Sequence, residues 1–330
     1  MAFIFGLLPV LLFLTCLFLL DSFKLVKVRL LLVSFGWGLL SAGLCFVLNS
    51  QLTENLNLSF STLSRYVAPV IEEVTKSLLI LLLVSRKQIG FMIDAAIYGF
   101  AIGAGFAQIE NIFYITQPLA NVDTTLAIVR GFGTAIMHGG TVAIFAMIFI
   151  EAVHRSNKIL IVYAPGLMTA ILLHSAFNHF IVNPLIQAIL IITLLPLTFY
   201  FALSYTNRKM QHWLELEFMN EVELLRMIKS GQFTETKSGK FFAALRNHFS
   251  PDIIVDLYCF ISLYLELSIK AKRNMLLKET GFEVILEPDT VDKLTELKQL
   301  RKNIGKSGEM ALQPLIRISY RDLWKLNQLS

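Results

Sequence analysis

The chain has 330 residues, of which 55% are hydrophobic, and its mean hydropathy of +0.63 lies well above that of soluble globular proteins. The net charge of +5 is spread over the chain without a long basic run, so no nucleic-acid partner is expected. The three cysteines, Cys16, Cys45 and Cys259, show no paired spacing and predict neither a disulfide framework nor a cysteine metal site. The composition therefore excludes an ordinary soluble enzyme and indicates a protein of the lipid bilayer.

The charged residues divide the chain into two parts. Residues 1–206 carry ten Lys/Arg and eight Asp/Glu, whereas residues 207–330 carry nineteen and sixteen. This asymmetry predicts an all-α, polytopic membrane domain at 1–206, followed by a soluble helical domain at 207–330.

Seven stretches in the first part approach the length of about 20 mostly apolar residues that a spanning helix needs. They lie at roughly 2–20, 30–49, 67–85, 91–115, 126–151, 159–182 and 185–206. The first stretch has no basic residue before it and no convincing cleavage site after it, so a retained span is favoured over a removable signal peptide.

The basic residues of the short connections predict the orientation of the bundle. They follow the first, third, fifth and seventh stretches, at Lys24, Lys27, Arg29, Arg86, Lys87, Arg155, Lys158, Arg208 and Lys209. The alternate connections contain a single basic residue, Arg65. By the positive-inside rule the N-terminus lies outside, and the domain at 207–330 is cytoplasmic.

The second part reads as a series of helices at 211–229, 251–278, 290–303 and 318–328. Its most apolar segment, 257–265, is too short to span a bilayer. It contains no catalytic motif, phosphate loop or repeat. We expect it to bind a cytoplasmic partner, to self-associate or to regulate the membrane domain.

Ionisable residues inside spans are costly and therefore mark functional sites. They occur in four successive spans, as Glu72, Glu73 and Lys76, then Glu110, then His138, then His174 with Asn178 one turn later. At 1.5 Å per residue the glutamates and histidines lie about 8 to 18 Å below the outer boundary of their spans. These depths predict one pocket in the outer half of the bilayer.

Helix geometry refines the roles of these residues. Glu72 and Glu73 are rotated by about 100° from each other, so they are expected to have different roles. Glu110 shares a face with Gly99 and Gly103, a pair of small residues that lets a neighbouring helix approach closely. Arg130, near the outer end of its span, is expected to extend to water.

The ordered motifs resemble those of PrsW-type intramembrane proteases, which are grouped with CAAX prenyl endopeptidases and bacteriocin-immunity proteins. The matching residues span about 60–185 and read Glu72-Glu73-x-x-Lys76, Phe106-x-x-x-Glu110-Asn111, a histidine in the next span, and His174-x-x-x-Asn178. The resemblance implies an endopeptidase of the bacterial cytoplasmic membrane. Its implied substrate is a single-span, membrane-anchored protein, such as an anti-sigma factor, cut on the outer side.

Two mechanisms fit these residues, with Glu72, Glu73, Glu110, His174 and Asn178 as the catalytic candidates. In the first, Glu110, His138 and His174 bind Zn²⁺ and Glu73 is the general base. In the second there is no metal; Glu73 activates water directly, while His174 and Asn178 stabilise the oxyanion.

Two other classes of protein would also place such residues in mid-membrane. A proton-coupled transporter needs buried carboxylates and histidines, but the chain shows no internal repeat and no paired broken spans. A non-catalytic scaffold of the immunity type would keep the pocket in order to hold another membrane protein. Intact motifs favour an enzyme over both alternatives.

Overall fold

The computed structural model of the protein describes residues 2–21, 24–116, 124–156, 158–284, 287–316 and 318–329. In these residues all regular structure is helical and no strand occurs, which confirms the predicted all-α class. The chain folds into two compact units, Met1–Thr206 and Asn207–Ser330. Each unit is described by itself.

The first unit is a helix bundle. Its helices are α1 (Ala2–Leu19), α2 (Val28–Leu56), α3 (Phe60–Thr62), α4 (Ala68–Ser85), α5 (Met92–Thr116), α6 (Thr124–Ile128), α7 (Ala135–Arg155), α8 (Ile159–Asn178) and the first part of α9 (Pro184–Lys229). Two short π-helical segments, Leu63–Val67 and Val129–Thr134, lead into α4 and α7.

Six helical stretches of the described residues are long and apolar enough to cross a membrane. They are Ala2–Leu19, Val28–Leu56, Met92–Thr116, Thr124–Arg155, Ile161–Asn178 and Pro184–Met210. The remaining predicted span corresponds to α4, whose 18 residues include Glu72, Glu73 and Lys76 and are therefore less apolar. The count of seven spans and the orientation stay predictions.

Helices α5 and α7 form the centre of this bundle. In their most apolar windows 89% and 78% of the residues are buried, compared with 28% in each of the other four candidate spans. Helix α5 packs against α7, α2 and α1, while α7 also packs against α8 and α4. The outer helices expose apolar side chains, as lipid contact requires.

The predicted close approach to the small-residue face of α5 is present in the structure. A Cβ at Gly99 would lie 2.7 Å from the carbonyl oxygen of Val142, and one at Gly103 would lie 2.6 Å from the backbone nitrogen of Gly139. A Cβ at Gly103 would also collide with the carbonyl of His138. The two glycines therefore set how near the His138 backbone comes to α5.

The π-helical segments were not apparent from the sequence, because a π turn has no distinctive periodicity over five or six residues. Their carbonyl groups accept hydrogen bonds from side chains of other helices. The Asn178 amide donates to the backbone carbonyl oxygen of Ser64 at 2.8 Å, and the Ser175 hydroxyl donates to the backbone carbonyl oxygen of Arg65 at 2.6 Å. Such bonds satisfy irregular backbone where water is scarce.

The second unit contains the remainder of α9, then α10 (Lys237–Ala244), α11 (Pro251–Glu279), α12 (Thr290–Leu312) and α13 (Tyr320–Asn327). Helix α10 was not predicted from the sequence, and α9 was predicted as two helices that are separated near residue 207. No glycine or proline lies between residues 197 and 229, so the helix continues. Helix α12 continues past the predicted end and changes direction at Gly305, whose φ of +61° favours glycine.

Helix α11 forms the core of the second unit, where it packs against α12 and α13. Its buried side chains include Leu257, Phe260, Ile261 and Leu265, which belong to the short apolar segment noted in the sequence. That segment therefore contributes to the hydrophobic core of the second unit, and its burial stabilises the unit.

A buried ion network ties three helices of this unit together. The Lys272 and Lys325 ammonium groups, both fully buried, lie 3.1 Å from opposite oxygens of Glu221. Ser268 donates to Glu221 at 2.6 Å, and Asp322 lies 2.7 Å from Lys325. Burial opposes the ionisation of Asp322, but its interactions with Lys325 and Ser319 outweigh this and hold its pKa below the usual value.

The Glu221→Gln substitution is expected to destabilise the second unit by about 3–5 kcal/mol, because two buried ammonium groups lose their shared carboxylate. Glu223→Gln, which alters an exposed residue two positions along the same helix, is expected to stay within about 0.5 kcal/mol of wild type. Limited trypsin digestion of the full chain during a urea titration measures both. Equal effects of the two variants would contradict this assignment.

Candidate active site

Four helices bring ionisable side chains to one place inside the first unit. The group, called the central cluster, consists of Glu72, Glu73 and Lys76 of α4, Glu110 of α5, His138 of α7 and His174 of α8. The imidazole rings of the two histidines lie 4.8 Å apart at their centroids. The structure thus brings together five of the residues that the sequence selected for the site, together with Lys76.

Glu73 is buried and accepts hydrogen bonds through one oxygen. Its Oε1 lies 2.7 Å from Lys76 Nζ, 2.8 Å from His174 Nδ1 and 3.3 Å from the Thr141 hydroxyl. The carboxylate can only accept, so the Nδ1 of His174 carries the proton. The lone pair of His174 Nε2 is therefore open, and Glu73 Oε2 has no hydrogen bond among the described residues.

His138 is fixed through both of its ring nitrogens. Lys76 Nζ lies 3.0 Å from Nδ1, and Glu110 Oε2 lies 2.6 Å from Nε2. An ammonium group can only donate, so Nδ1 accepts and the proton of the neutral ring is on Nε2, which donates to Glu110. Lys76 also lies 4.2 Å from the ring centroid of Phe106. Each histidine of the central cluster is therefore oriented by a carboxylate.

Glu72 is the least satisfied member of the central cluster. Its Oε2 is buried and accepts no hydrogen bond from the residues that the structure describes. The nearest charged or basic atoms are Lys76 Nζ at 3.7 Å and His174 Nε2 at 3.9 Å. A buried carboxylate oxygen without a donor is costly, so this atom calls for a further partner.

A metal ion would satisfy this arrangement. Glu72, His138 and His174 each offer one ligand atom, and these three atoms lie within 4.8 Å of one another. Two histidines and one carboxylate form a common ligand set of catalytic zinc, which keeps a fourth position open. The donor set therefore fits zinc, although the ion would compete with Lys76 for Nδ1 of His138.

The carboxylate of this ligand set differs from the one that the sequence suggested. Glu110 was predicted as the third ligand, but its two oxygens are engaged by His138 and by Arg130, whose Nη2 lies 3.0 Å from Oε1. Glu110 and Glu73 instead bind the far nitrogens of the two histidines, as outer-shell carboxylates do in zinc sites. Whether Glu72 or Glu110 acts as a ligand stays a prediction.

Arg130 belongs to the surroundings of the central cluster, a role that the sequence analysis missed. It was expected to extend to water, but only 13% of its side chain is exposed and it pairs with Glu110. The available signal was its spacing of eight residues, about two helical turns, before His138. That spacing places the positive charge of Arg130 within reach of the carboxylates of the site.

Asn178 lies at the edge of the central cluster and is not part of it. Its Nδ2 donates to the Ser64 carbonyl at 2.8 Å, so the amide anchors the first π-helical segment. Its predicted role as an oxyanion donor stays a prediction, and it would require release of Ser64.

A cavity of about 810 Å³ opens onto the central cluster. Five of the predicted site residues line it, namely Glu72, Glu110, His138, His174 and Asn178. Four phenylalanines that are partly or largely exposed contribute its apolar part, namely Phe46, Phe60, Phe113 and Phe180. Its volume and its mixed apolar and polar lining are typical of ligand-binding sites.

A family model described as PrsW family intramembrane metalloprotease matches residues 27–204. The match covers more than half of the chain and includes the whole central cluster. No curated protein and no solved structure matches the chain. The motifs, the buried cluster and this match agree, and the chain therefore belongs to the PrsW family of intramembrane metalloproteases.

Proposed function

We propose that this protein is an endopeptidase that hydrolyses a peptide bond of a single-span, membrane-anchored protein in the outer half of the bilayer. The observation that carries the proposal is the group of Glu72, Glu73, His138 and His174 beside a cavity of about 810 Å³. A membrane-anchored regulator such as an anti-sigma factor is the proposed kind of substrate.

Glu72, His138 and His174 would hold the zinc ion. When bound, zinc would polarise the scissile carbonyl and lower the pKa of a water molecule. Glu73 is the proposed general base, because its Oε1 receives three hydrogen bonds and its Oε2 is the oxygen left to accept a proton. His174 is held by Glu73, so base and ligand stay in a fixed relation.

The cavity supports cleavage of an unwound segment. A peptide bond inside a helix is shielded by neighbouring turns, so the substrate must expose extended backbone to the central cluster. The phenylalanine side chains of the cavity suit apolar residues next to the scissile bond. A single-span substrate offers such residues at the depth of the site.

The proposed location is the cytoplasmic membrane of a bacterium, with the unit Asn207–Ser330 on the cytoplasmic side. Support comes from the basic residues of the inner connections and from the family. In that orientation the second unit would meet a cytoplasmic partner or a second copy of the chain.

Glu73→Gln is expected to abolish cleavage, because an amide cannot take the proton that the carboxylate accepts; general-base catalysis alone contributes about 10²–10⁴-fold. Comparison of membrane-protein termini from cells that express wild type or this variant would reveal the substrate as fragments present only with wild type.

Glu151→Gln is the matched control, because Glu151 lies on α7 outside the central cluster and pairs with Arg155. It should give the wild-type fragment pattern. Wild-type fragments from the folded Glu73→Gln variant would refute the proposed base, and identical patterns with and without the protein would refute the protease.

A further inference from the structure

Arg130 is held in place by three groups at the C-terminal end of α5. Its Nη2 lies 3.0 Å from Glu110 Oε1, and its Nε donates to Asn111 Oδ1 at 3.0 Å. The guanidinium carbon also lies 3.9 Å from the ring centroid of Tyr114. The guanidinium plane is therefore fixed by a carboxylate, an amide and an aromatic ring.

The amide that receives Arg130 is itself immobile. Asn111 is 1% exposed, and its Nδ2 donates to the Gly6 carbonyl on α1 at 2.7 Å and to the carbonyl of Arg130 at 3.3 Å. Asn111 thus grips both the side chain and the backbone of Arg130. An arginine that merely reached for water at a helix end would not be bound in this way.

Glu110 connects this arginine to the central cluster. One carboxylate oxygen pairs with Arg130 and the other accepts the Nε2 proton of His138 at 2.6 Å. Because the carboxylate is planar, fixing one oxygen restricts the other. The direction of the hydrogen bond to His138 therefore depends on Arg130.

We propose that Arg130 is a positioning residue that acts through Glu110 to hold the imidazole of His138 in its working orientation. The inference rests on the proposed function, in which His138 belongs to the catalytic site. Lysine would replace arginine poorly, because the contacts use two edges of a planar group that an ammonium lacks.

The test observes the His138 hydrogen bond directly. A short N–H bond to a carboxylate gives a downfield imidazole proton signal, which ¹⁵N-histidine labelling of the purified, chelator-treated full chain detects and the His138→Ala variant assigns. We expect this signal in wild type and its loss or broadening in Arg130→Ala. Glu110→Ala, which removes the acceptor, should have the same effect.

Arg155→Ala is the matched control, because it removes another arginine paired with a glutamate of α7, at 3.3 Å and outside the site. It should leave the signal unchanged. Arg130→Lys keeps the positive charge, so this variant should be folded but should still lack the sharp His138 signal. Thermal unfolding and size-exclusion profiles establish that each variant is folded. An unchanged signal in folded Arg130→Ala, or none from His138 in wild type, would overturn the inference.

A second measurement separates positioning from substrate binding. If Arg130 acts on His138, zinc affinity should fall about 10–100-fold in Arg130→Ala, as on loss of an outer-shell partner. If both the zinc affinity and the His138 signal of Arg130→Ala match those of wild type, Arg130 does not position His138. Any loss of cleavage in this variant would then come from weaker substrate binding. The proton signal needs neither zinc nor cleavage, so failure of the proposed function and failure of this inference are distinguishable.

Discussion

Substitution of Glu72 by glutamine is expected to reduce the zinc content of the purified protein from one ion per chain to none. The amide is a neutral and much weaker oxygen ligand, and Glu72 Oε2 is a buried carboxylate oxygen that faces His174 and has no hydrogen bond within the described parts of the chain. Cleavage of the substrate should be lost together with the metal. Elemental analysis after dialysis measures the first effect, and the fragment assay measures the second.

Glu110→Gln is the informative comparison, because Glu110 is the ligand that the sequence suggested. Its engagement by Arg130 and His138 predicts that this variant keeps one zinc ion, with affinity weaker by about 10–100-fold. The opposite result, zinc lost from Glu110→Gln and kept in Glu72→Gln, would restore the ligand set Glu110, His138 and His174. Wild-type activity without metal that survives chelators would favour direct activation of water by Glu73.

Gly103→Ala is expected to destabilise the membrane unit by more than about 3 kcal/mol, at the upper end of over-packing effects. The added Cβ would collide with the His138 carbonyl and lie 2.6 Å from the backbone nitrogen of Gly139. These are backbone atoms, so α5 and α7 must separate. Because His138 moves with α7, the same substitution should also abolish cleavage in any protein that remains folded.

Gly36→Ala provides the control for this prediction. Gly36 lies on α2, and a Cβ there would meet no atom within 4 Å. Alanine should be neutral or stabilising by up to about 1 kcal/mol, since it is the better helix former. Thermal unfolding in detergent compares the two variants. If Gly103→Ala unfolds at the wild-type temperature, α5 and α7 can separate at little cost in free energy, and their close approach is not needed for the stability of the membrane unit.

Most of the helices and the convergence of the ionisable residues could be predicted from the sequence because both depend on local or additive physics. A run of about 20 apolar residues becomes a helix in lipid whatever its neighbours are. A charge in such a run has a cost that burial with partners must offset, so Glu73, Glu110, His138 and His174 were expected to converge. The structure shows these four residues joined through Lys76 in one chain of hydrogen bonds, which runs from Glu110 to His138, Lys76, Glu73 and His174.

The division of work among the carboxylates could not be predicted in the same way. Rotation about the helix axis separates Glu72 from Glu73 but does not tell which histidine nitrogen each one meets. That depends on ångström-scale packing of α4 against α7 and α8. The pairing of Glu110 with Arg130 likewise depends on a π-helical turn whose presence the periodicity of the sequence does not reveal.

The second unit shows a related limit. Lys272 and Lys325 look like ordinary solvent-exposed lysines in a polar helical sequence, yet both are fully buried against Glu221. Hydropathy cannot separate a solvated charge from a buried one with a partner that is distant in sequence. The apolar segment 257–265 was informative, because it is too short to span a bilayer and its residues were therefore expected in a hydrophobic core, where the structure places them.

The π-helical segment Val129–Thr134 carries a consequence for tolerance to insertions and deletions. A π turn holds one residue more than an α turn, so loss of a single residue there would let the segment relax into a regular α-helix. The helical residues on either side would keep their relative register, because a π turn absorbs its extra residue locally, but Arg130 lies within the segment and would change direction away from Glu110. The extra residue of this short segment is therefore needed for the direction of Arg130 and not for the register of α7.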